Sequence, residues 1–353
     1  VSPAVTTPTA GSASEAGLAA VRRPRSIRVL WLVLLVAVLA AILLLSIAFG
    51  SRVVSVQDVI AGLSGSVDGF DHAAVAKRIP RTILAALAGG ALALSGTVTQ
   101  GVTRNPIADP GILGVNMGAS LAVVVGIAYF GIASATAYIW VAIVGGCVTA
   151  AGVYLVASIG REGATPLKLA LAGAASAAAL ASFISAVVLP RNDIADGVRS
   201  WQIGGVGGAS YASIREVLPF LVAGLLICLV CARGLNMLAL GDELAAGLGQ
   251  RVVLTRAVAS FGAVVLCAAA TAVCGPIAFV GLVVPHVCRL LVGPDHRWLM
   301  PFAAVTGAAL LTAADVLGRV VARPDEIQVG IITALLGAPF FIAIVRRAKV
   351  REL

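Results

Sequence analysis

The sequence predicts an all-α, polytopic membrane protein of about ten transmembrane helices, and three observations carry that prediction. Hydrophobic residues make up 60% of the 353 and charged residues only 12%, against roughly 25% charged in a soluble globular domain. The apolar residues arrive in repeated blocks of near-spanning length. The basic residues behind the net charge of +9 sit at block edges, where topology and lipid headgroups use them. In a soluble chain that charge would suggest nucleic acid; here membrane lipid is the expected partner and nucleic acid is not.

Residues 1–20 are rich in Ser, Thr, Ala and Pro without apolar periodicity, so too little apolar surface is available to offset the entropy of ordering them. With the basic cluster Arg22, Arg23, Arg25 and Arg28 they are expected to form a disordered basic tail over 1–28, leaving 29–353 as one transmembrane domain. The first block, Leu30 to Phe49, is long for the apolar region of a signal peptide and no small-residue cleavage site follows, so it reads as a retained span. Further blocks follow at Thr82–Gly101, Gly114–Phe130, Ala137–Ser158, Leu167–Leu189, Val217–Ala232, Ala257–Cys274, Ile277–Val292, Leu299–Val321 and Val329–Val345. Gly275-Pro276 is the break that separates the seventh from the eighth.

Ten spans place both termini on one side. Of the 25 basic residues, sixteen fall on the side of the termini and nine on the other, so the positive-inside rule puts both termini in the cytoplasm. Gly89, Gly90, Gly96, Gly145, Gly146, Gly173, Gly262 and Gly307 lie within spans and read as points of close helix-helix approach. The six cysteines fall in or beside apolar blocks; Cys228-x-x-Cys231 lacks the second ligand pair of a zinc site and the βαβ context of a redox motif, and reads as small helix residues.

Four segments say more. The first runs from Arg78-Ile-Pro-Arg81 through Gly89 to Gly96 and Gln100 into Arg104-Asn-Pro-Ile-Ala-Asp-Pro110 and Leu113-Gly114. The second is Gly241-Asp-Glu-Leu-Ala-Ala-Gly-Leu-Gly249. The third runs from Gly275-Pro276 to Pro285-His286, with Arg289 and Asp295-His-Arg297 after it. The fourth is Glu326-Ile-Gln-Val-Gly330 with Gly337-Ala-Pro-Phe340. In this order and spacing, over roughly Ser51 to Arg347, the chain resembles the FecCD family of permeases.

The resemblance implies a type II ATP-binding-cassette (ABC) importer permease bundle in a bacterial cytoplasmic membrane. It further implies a dimer of permeases, identical or related, two ATPase subunits and an extracytoplasmic substrate-binding protein. The cargo expected from it is an iron-siderophore or similar metal chelate, with vitamin B12 or haem as alternatives. No cofactor is expected on this chain: the sequence carries no G-x-x-x-x-G-K-[ST] phosphate loop and no catalytic constellation, so ATP and Mg belong to the partner ATPase. An ion-gradient-driven secondary transporter is the main rival class, and a non-transporting receptor a lesser one.

Gly241 to Gly249 lies in a polar stretch between the sixth and seventh spans. Gly241 and Gly249 permit tight turns at its ends, and Asp242 and Glu243 suit a helix N-terminus. The resemblance assigns it as the ATPase-coupling helix, with Asp242, Ala245 and Leu248 matching the family pattern. Arg78, Arg81 and Arg319, near the outer ends of their spans, are expected as an exposed set of carboxylate forks that dock the binding protein. Asp315, the most nearly intramembrane acid, stands one helical turn from Arg319 and reads as its local ion-pair partner. His286 is expected to be structural. The resemblance also implies an inner gate in the loop joining spans four and five, where family permeases narrow the pore, with Thr165, Pro166 and Leu167 as its candidates. Two departures from the family pattern stand near the outer face: Gln328 where Pro is usual, and Gly204-Gly-Val-Gly-Gly208 where Gly-Ser-Leu is more common.

Overall fold

In hydrocarbon every backbone N–H and C=O must find its partner within the chain, and apolar blocks of this length satisfy that demand by closing into helices. The structure is a computed structural model that describes residues 24–52, 54–55, 57, 59, 69–132, 134–159 and 166–349. Of the tail expected over 1–28, residues 1–23 lie outside the described residues, and the expectation is corrected at its end, where Arg25 to Arg28 form the first turn of a helix.

The helices are α1 (Arg25–Ala48), α2 (Phe70–Thr103), α3 (Val115–Phe130), α4 (Ala135–Ala157), α5 (Pro166–Val188) and α6 (Asn192–Ile203), followed by α7 (Tyr211–Leu238), α8 (Asp242–Gly247), α9 (Val252–Cys274), α10 (Val280–Val292), α11 (His296–Val321) and α12 (Val329–Lys349); a 3₁₀ turn, Pro110–Leu113, precedes α3. Among the described residues, seven of these are long and apolar enough to cross a membrane, and α3, α10 and α12 supply three shorter apolar helices. The ten predicted blocks each find their helix. Two boundaries move. Helix α1 begins at Arg25, directly after Pro24, and α2 begins at Phe70 and runs through Pro80, so it stands well beyond the apolar block that located it. Helix α6 was not foreseen: its sequence mixes Asn, Asp, Arg and Ser with apolar residues and gives no spanning signal.

Helices α2, α9 and α11 are innermost, while α1, α4, α5 and α7 turn most of their surface outward. The packing of α2 rests on glycine. Gly89 faces Gly307 of α11 and Gly96 faces Gly281 of α10, and at each of these approaches an added Cβ would collide with the facing backbone. Gly89 and Gly96 stand seven residues apart, two turns along one face, so one stripe of α2 takes α11 and then α10. Gly118 of α3 and Gly145 of α4 repeat the device, and Gly262 brings α9 against Ile227 and Cys228 of α7. The helix-contact reading of these glycines holds for Gly89, Gly96, Gly145, Gly262 and Gly307.

Several polar groups inside the bundle are satisfied within it. Thr97 and Thr99 donate to the carbonyls one turn back, at 2.8 Å each. Ser95 donates to the Ala263 carbonyl of α9 at 2.5 Å, and Asn116 Oδ1 accepts from Cys267 and Thr271 at 3.1 Å each. Such pairing removes the penalty of a bare polar atom in hydrocarbon. All six cysteines are free thiols.

The α9–α10 break is real: Gly275 (φ 71°) and Phe279 (φ 69°) take left-handed backbone. The segment after α6 fills it, Gly205 N donating to Cys274 O at 2.7 Å and Gly330 N to Gly204 O at 3.0 Å. Gly337 of α12 lies directly over the Phe279 side chain.

Candidate functional sites on the two membrane faces

At the face opposite the termini, the C-terminal carbonyls of α1 have no intrahelical donors, and three arginines from elsewhere supply them and the carbonyls of the segment that follows. Arg78 donates to Ile47 O (3.1 Å), Ala48 O (2.9 Å) and Arg52 O (2.6 Å). Arg319 donates to Ser46 O (3.0 Å), Phe49 O (3.1 Å) and Ser46 Oγ (2.7 Å). Arg323 Nε reaches Gly50 O at 2.9 Å. Positive charge at a helix C-terminus also complements its dipole.

Beneath this cap lies an ion network. Arg319 pairs with Asp315 at 2.9 Å, as the one-turn spacing predicted. Arg81 grips the same carboxylate, Nη2 to Oδ1 at 2.8 Å and Nε to Oδ1 at 3.1 Å, and extends Nη1 to Glu326 at 2.6 Å. Ser51 donates to the other oxygen of Glu326 at 2.9 Å. Burial alone would raise the Glu326 carboxyl; the Arg81 hydrogen bond and charge, with the Ser51 hydroxyl, hold it below the ordinary 4.5.

The expectation of exposed arginines is therefore corrected. Arg78 is 6% and Arg319 1% exposed, and the donors of Arg81 are directed to Asp315 and Glu326. The three do lie together at the end opposite the termini, but the sequence carried no sign that α2 and α11 pack under the end of α1. Asp315, fully buried, proves to serve two arginines rather than one.

At the face of the termini, α8 is a six-residue helix between Gly241 (φ 109°) and Gly249 (φ 83°), so both bracketing glycines take the left-handed backbone expected of them. Asp242 accepts from Arg256 of α9 at 2.8 Å and from Arg104, the C-cap of α2. One carboxylate thus ties the start of α8 to the ends of two core helices. Leu244 and Leu248 are exposed at 63% and 61%, whereas Ala245 is wholly buried. Within the expected set, Ala245 is the floor on which the helix rests, and Leu244 joins Leu248 on the outward side.

The same face gathers the remaining motifs. Arg289 donates to Gln100 Oε1 at 2.9 Å, and Gln100 Nε2 lies 3.3 Å from Gly281 O. Asp109 caps the 3₁₀ turn through Gly111 N at 2.7 Å and lies against Gly281. Burial pushes the Asp109 carboxyl up from 3.8 to about 6, the Gly111 amide opposing. Asp295 caps α11 and accepts from Asn236 of α7 at 2.6 Å. His286 lies edge-on to Phe340 of α12, ring centroids 6.1 Å apart, which fits a structural role.

Of the inner-gate candidates, Thr165 lies outside the described residues, and Pro166 and Leu167 open α5 without describable side chains. The two departures from the family pattern prove to be neighbours: a Cβ on Gly205 would lie 3.4 Å from Gln328 Oε1.

Each face binds helix ends to one another, and the bundle so joined is a membrane permease of the type II ABC importer class. The chain belongs to the FecCD transport family, whose model matches residues 36–347. It is 42% identical over 325 residues to the ferric enterobactin transport system permease protein FepD of Escherichia coli, covering 92% of this chain and 96% of that one. It is 38% identical over 321 residues to the probable siderophore transport system permease protein YfiZ of Bacillus subtilis, with 90% and 96% covered. A solved structure described as an inward-facing conformation of a metal-chelate type ABC transporter superposes with a TM-score of 0.77 at 28% identity, covering 90% of this chain and 99% of that one.

Proposed function

We propose that this chain is the permease subunit of an ABC importer and that its cargo is an iron-siderophore or similar metal chelate. The observation that carries the reading is α8. Its two exposed leucines project from a helix whose buried side and first carboxylate are fixed to the core, so a force applied to the knob reaches α2 and α9 directly. An ATPase subunit receives Leu244 and Leu248 in an apolar groove, and ATP and Mg are bound there and not on this chain.

In this reading both termini and α8 are cytoplasmic, as the distribution of basic residues favours, and a second permease, identical or related, completes the pathway. The outer network serves an extracytoplasmic binding protein indirectly: Arg78, Arg81 and Arg319 hold the segment after α1 and the 322–328 loop in place, and the docking surface is built on those loops. Thr165, Pro166 and Leu167 remain the candidates for the inner constriction.

Cobalamin is the second cargo to test, because the cobalamin import system permease protein BtuC of Halobacterium salinarum is 40% identical over 282 residues, with 78% of this chain and 74% of that one covered. A proton- or sodium-driven mechanism is disfavoured because Asp315, the acid it would need, is held between two arginines.

The deciding experiment measures uptake of labelled ferric siderophore, cobalamin and haem in a strain lacking this subunit and in the same strain complemented. Restored ferric-siderophore uptake that stops when ATP is depleted supports the proposal. Uptake that follows the ion gradient and ignores ATP overturns it.

A further inference from the structure

An apolar groove of about 330 Å³ opens in the wall of the bundle between α1 and α7, floored by α2, α9 and α11. All of its lining residues are Gly, Ala, Val or Leu, among them Leu39, Gly90, Val222, Leu225 and Val305. Helix α1 rests on α2 and α11, and α7 on α2, α9 and α11, so the groove is the seam those contacts leave. Val222, 43% exposed, stands on its α7 lining.

Basic groups stand at one end of this seam. Arg28 of α1 lies with its guanidinium carbon 5.9 Å from the centroid of the Trp298 ring of α11, and its buried Nε has no hydrogen-bond partner. Arg25 and Arg297 are exposed beside it, and Trp31, 41% exposed, follows one turn along α1. Asp295 is the acid among them, and its Oδ1 is engaged by Asn236 and the Arg297 amide. Positive charge therefore predominates, next to two indoles of the kind that settle at headgroup depth.

Leu39 lies eleven residues beyond Arg28, about 16 Å along α1, Val305 eight beyond Arg297, about 12 Å, and Val222 fourteen from Asn236, whose side chain meets the His296 amide at the basic end, about 21 Å. One leaflet of a bilayer with a ~30 Å hydrocarbon core is roughly 15 Å deep, so the groove lies around the midplane and takes the distal part of a chain whose headgroup stands at the arginines. A methylene is close to a water in size, ~30 Å³, so the groove takes roughly eleven of them, most of one acyl chain.

We propose that this seam is a binding site for one anionic phospholipid, with its phosphate at Arg28 and Arg297 and an acyl chain in the groove, completing the packing of α1 against the bundle. The apolar groove alone would accept any lipid tail; the arginines select for anionic headgroups.

The test uses the permease with its partner subunits in vesicles of equal phosphatidylglycerol and phosphatidylethanolamine, released into native mass spectrometry. The readout is lipid mass and is independent of transport. One phosphatidylglycerol per permease is expected to be retained, in at least fivefold preference to phosphatidylethanolamine. R28Q/R297Q should abolish the preference, and V305F should evict the lipid with the arginines intact. V222F, at a side chain that already faces outward, repeats the eviction without disturbing the core should V305F fail to fold. Equal retention of both lipids by the wild type overturns the site, as does unchanged retention in V222F. Disulfide cross-linking of V222C between two copies would assign the seam to a permease–permease contact and overturn it as well.

Discussion

Arg81 and Asp315, 234 residues apart, share a 2.8 Å salt bridge that closes the end of the bundle opposite the termini. The same Asp315 carboxylate holds Arg319, so α2 and α11 are joined twice, by this pair near that end and by Gly89 against Gly307 farther in.

Removing Asp315 leaves two guanidinium groups buried without their anion. D315N should lower stability by about 3–5 kcal/mol, read as the loss of melting temperature of the purified permease. E326Q, at a side chain 37% exposed, removes an ion pair that water screens, and should change it by about 1 kcal/mol or less. Equal effects of the two substitutions would contradict the network.

Gly89→Ala and Gly96→Ala should each destabilise the bundle by about 1–3 kcal/mol or more, because backbone of the facing helix occupies the space of the added methyl. Gly152→Ala on α4 meets nothing within 4 Å, and should be neutral or slightly stabilising, since alanine is the better helix former by about 1 kcal/mol. Thermal unfolding of the three variants in one lipid checks the contrast.

Replacing Leu244 and Leu248 by Asp should abolish co-purification of the ATPase and ATP-dependent uptake while leaving the melting temperature within about 2 °C of wild type, since both side chains are exposed. Ala245→Leu acts differently: its site is filled, so the permease itself should be destabilised by about 1–3 kcal/mol. Asp242→Ala frees Arg104 and Arg256 together, and should uncouple ATP hydrolysis from uptake even where the ATPase still binds.

Asp109 sets a pH dependence. Its folded carboxyl is raised from 3.8 to about 6, so the fold prefers the protonated form. The stability it contributes is present below about pH 4 and is lost as pH rises through about 6, up to ~3 kcal/mol in all. Asp109→Asn keeps an acceptor for Gly111 N and has no proton to lose. It should flatten the stability profile between pH 4 and 6 and leave the protein at least as stable at pH 7; an unaltered slope would count against the assignment.

The motifs also show where sequence reasoning reached its limit. Read singly, Arg78-Ile-Pro-Arg81 and Glu326 are distant surface charges; folded, Arg81 and Glu326 are 2.6 Å apart. Gln100, Gly281 and Arg289 belong to two motifs and form one junction. Asp242 looked like a helix-terminus residue and proves to be a clamp between α2 and α9. A single sequence reports no pairing across such separations. It therefore supplied the face on which Arg78, Arg81 and Arg319 lie and the local Asp315–Arg319 pair, and gave their exposure wrongly.

What the residues alone determined was everything set by local chemistry in a lipid solvent. The ten apolar blocks had to become helices because unpaired backbone is too costly in hydrocarbon, Gly275-Pro276 had to interrupt one run, and Gly241 and Gly249 had to bracket a short turn. Which polar groups are buried, and against what, was decided by the tertiary structure. Burial is a property of the neighbouring helix, and the arginines that cap α1, the floor under Ala245 and the seam between α1 and α7 exist only once the helices have packed.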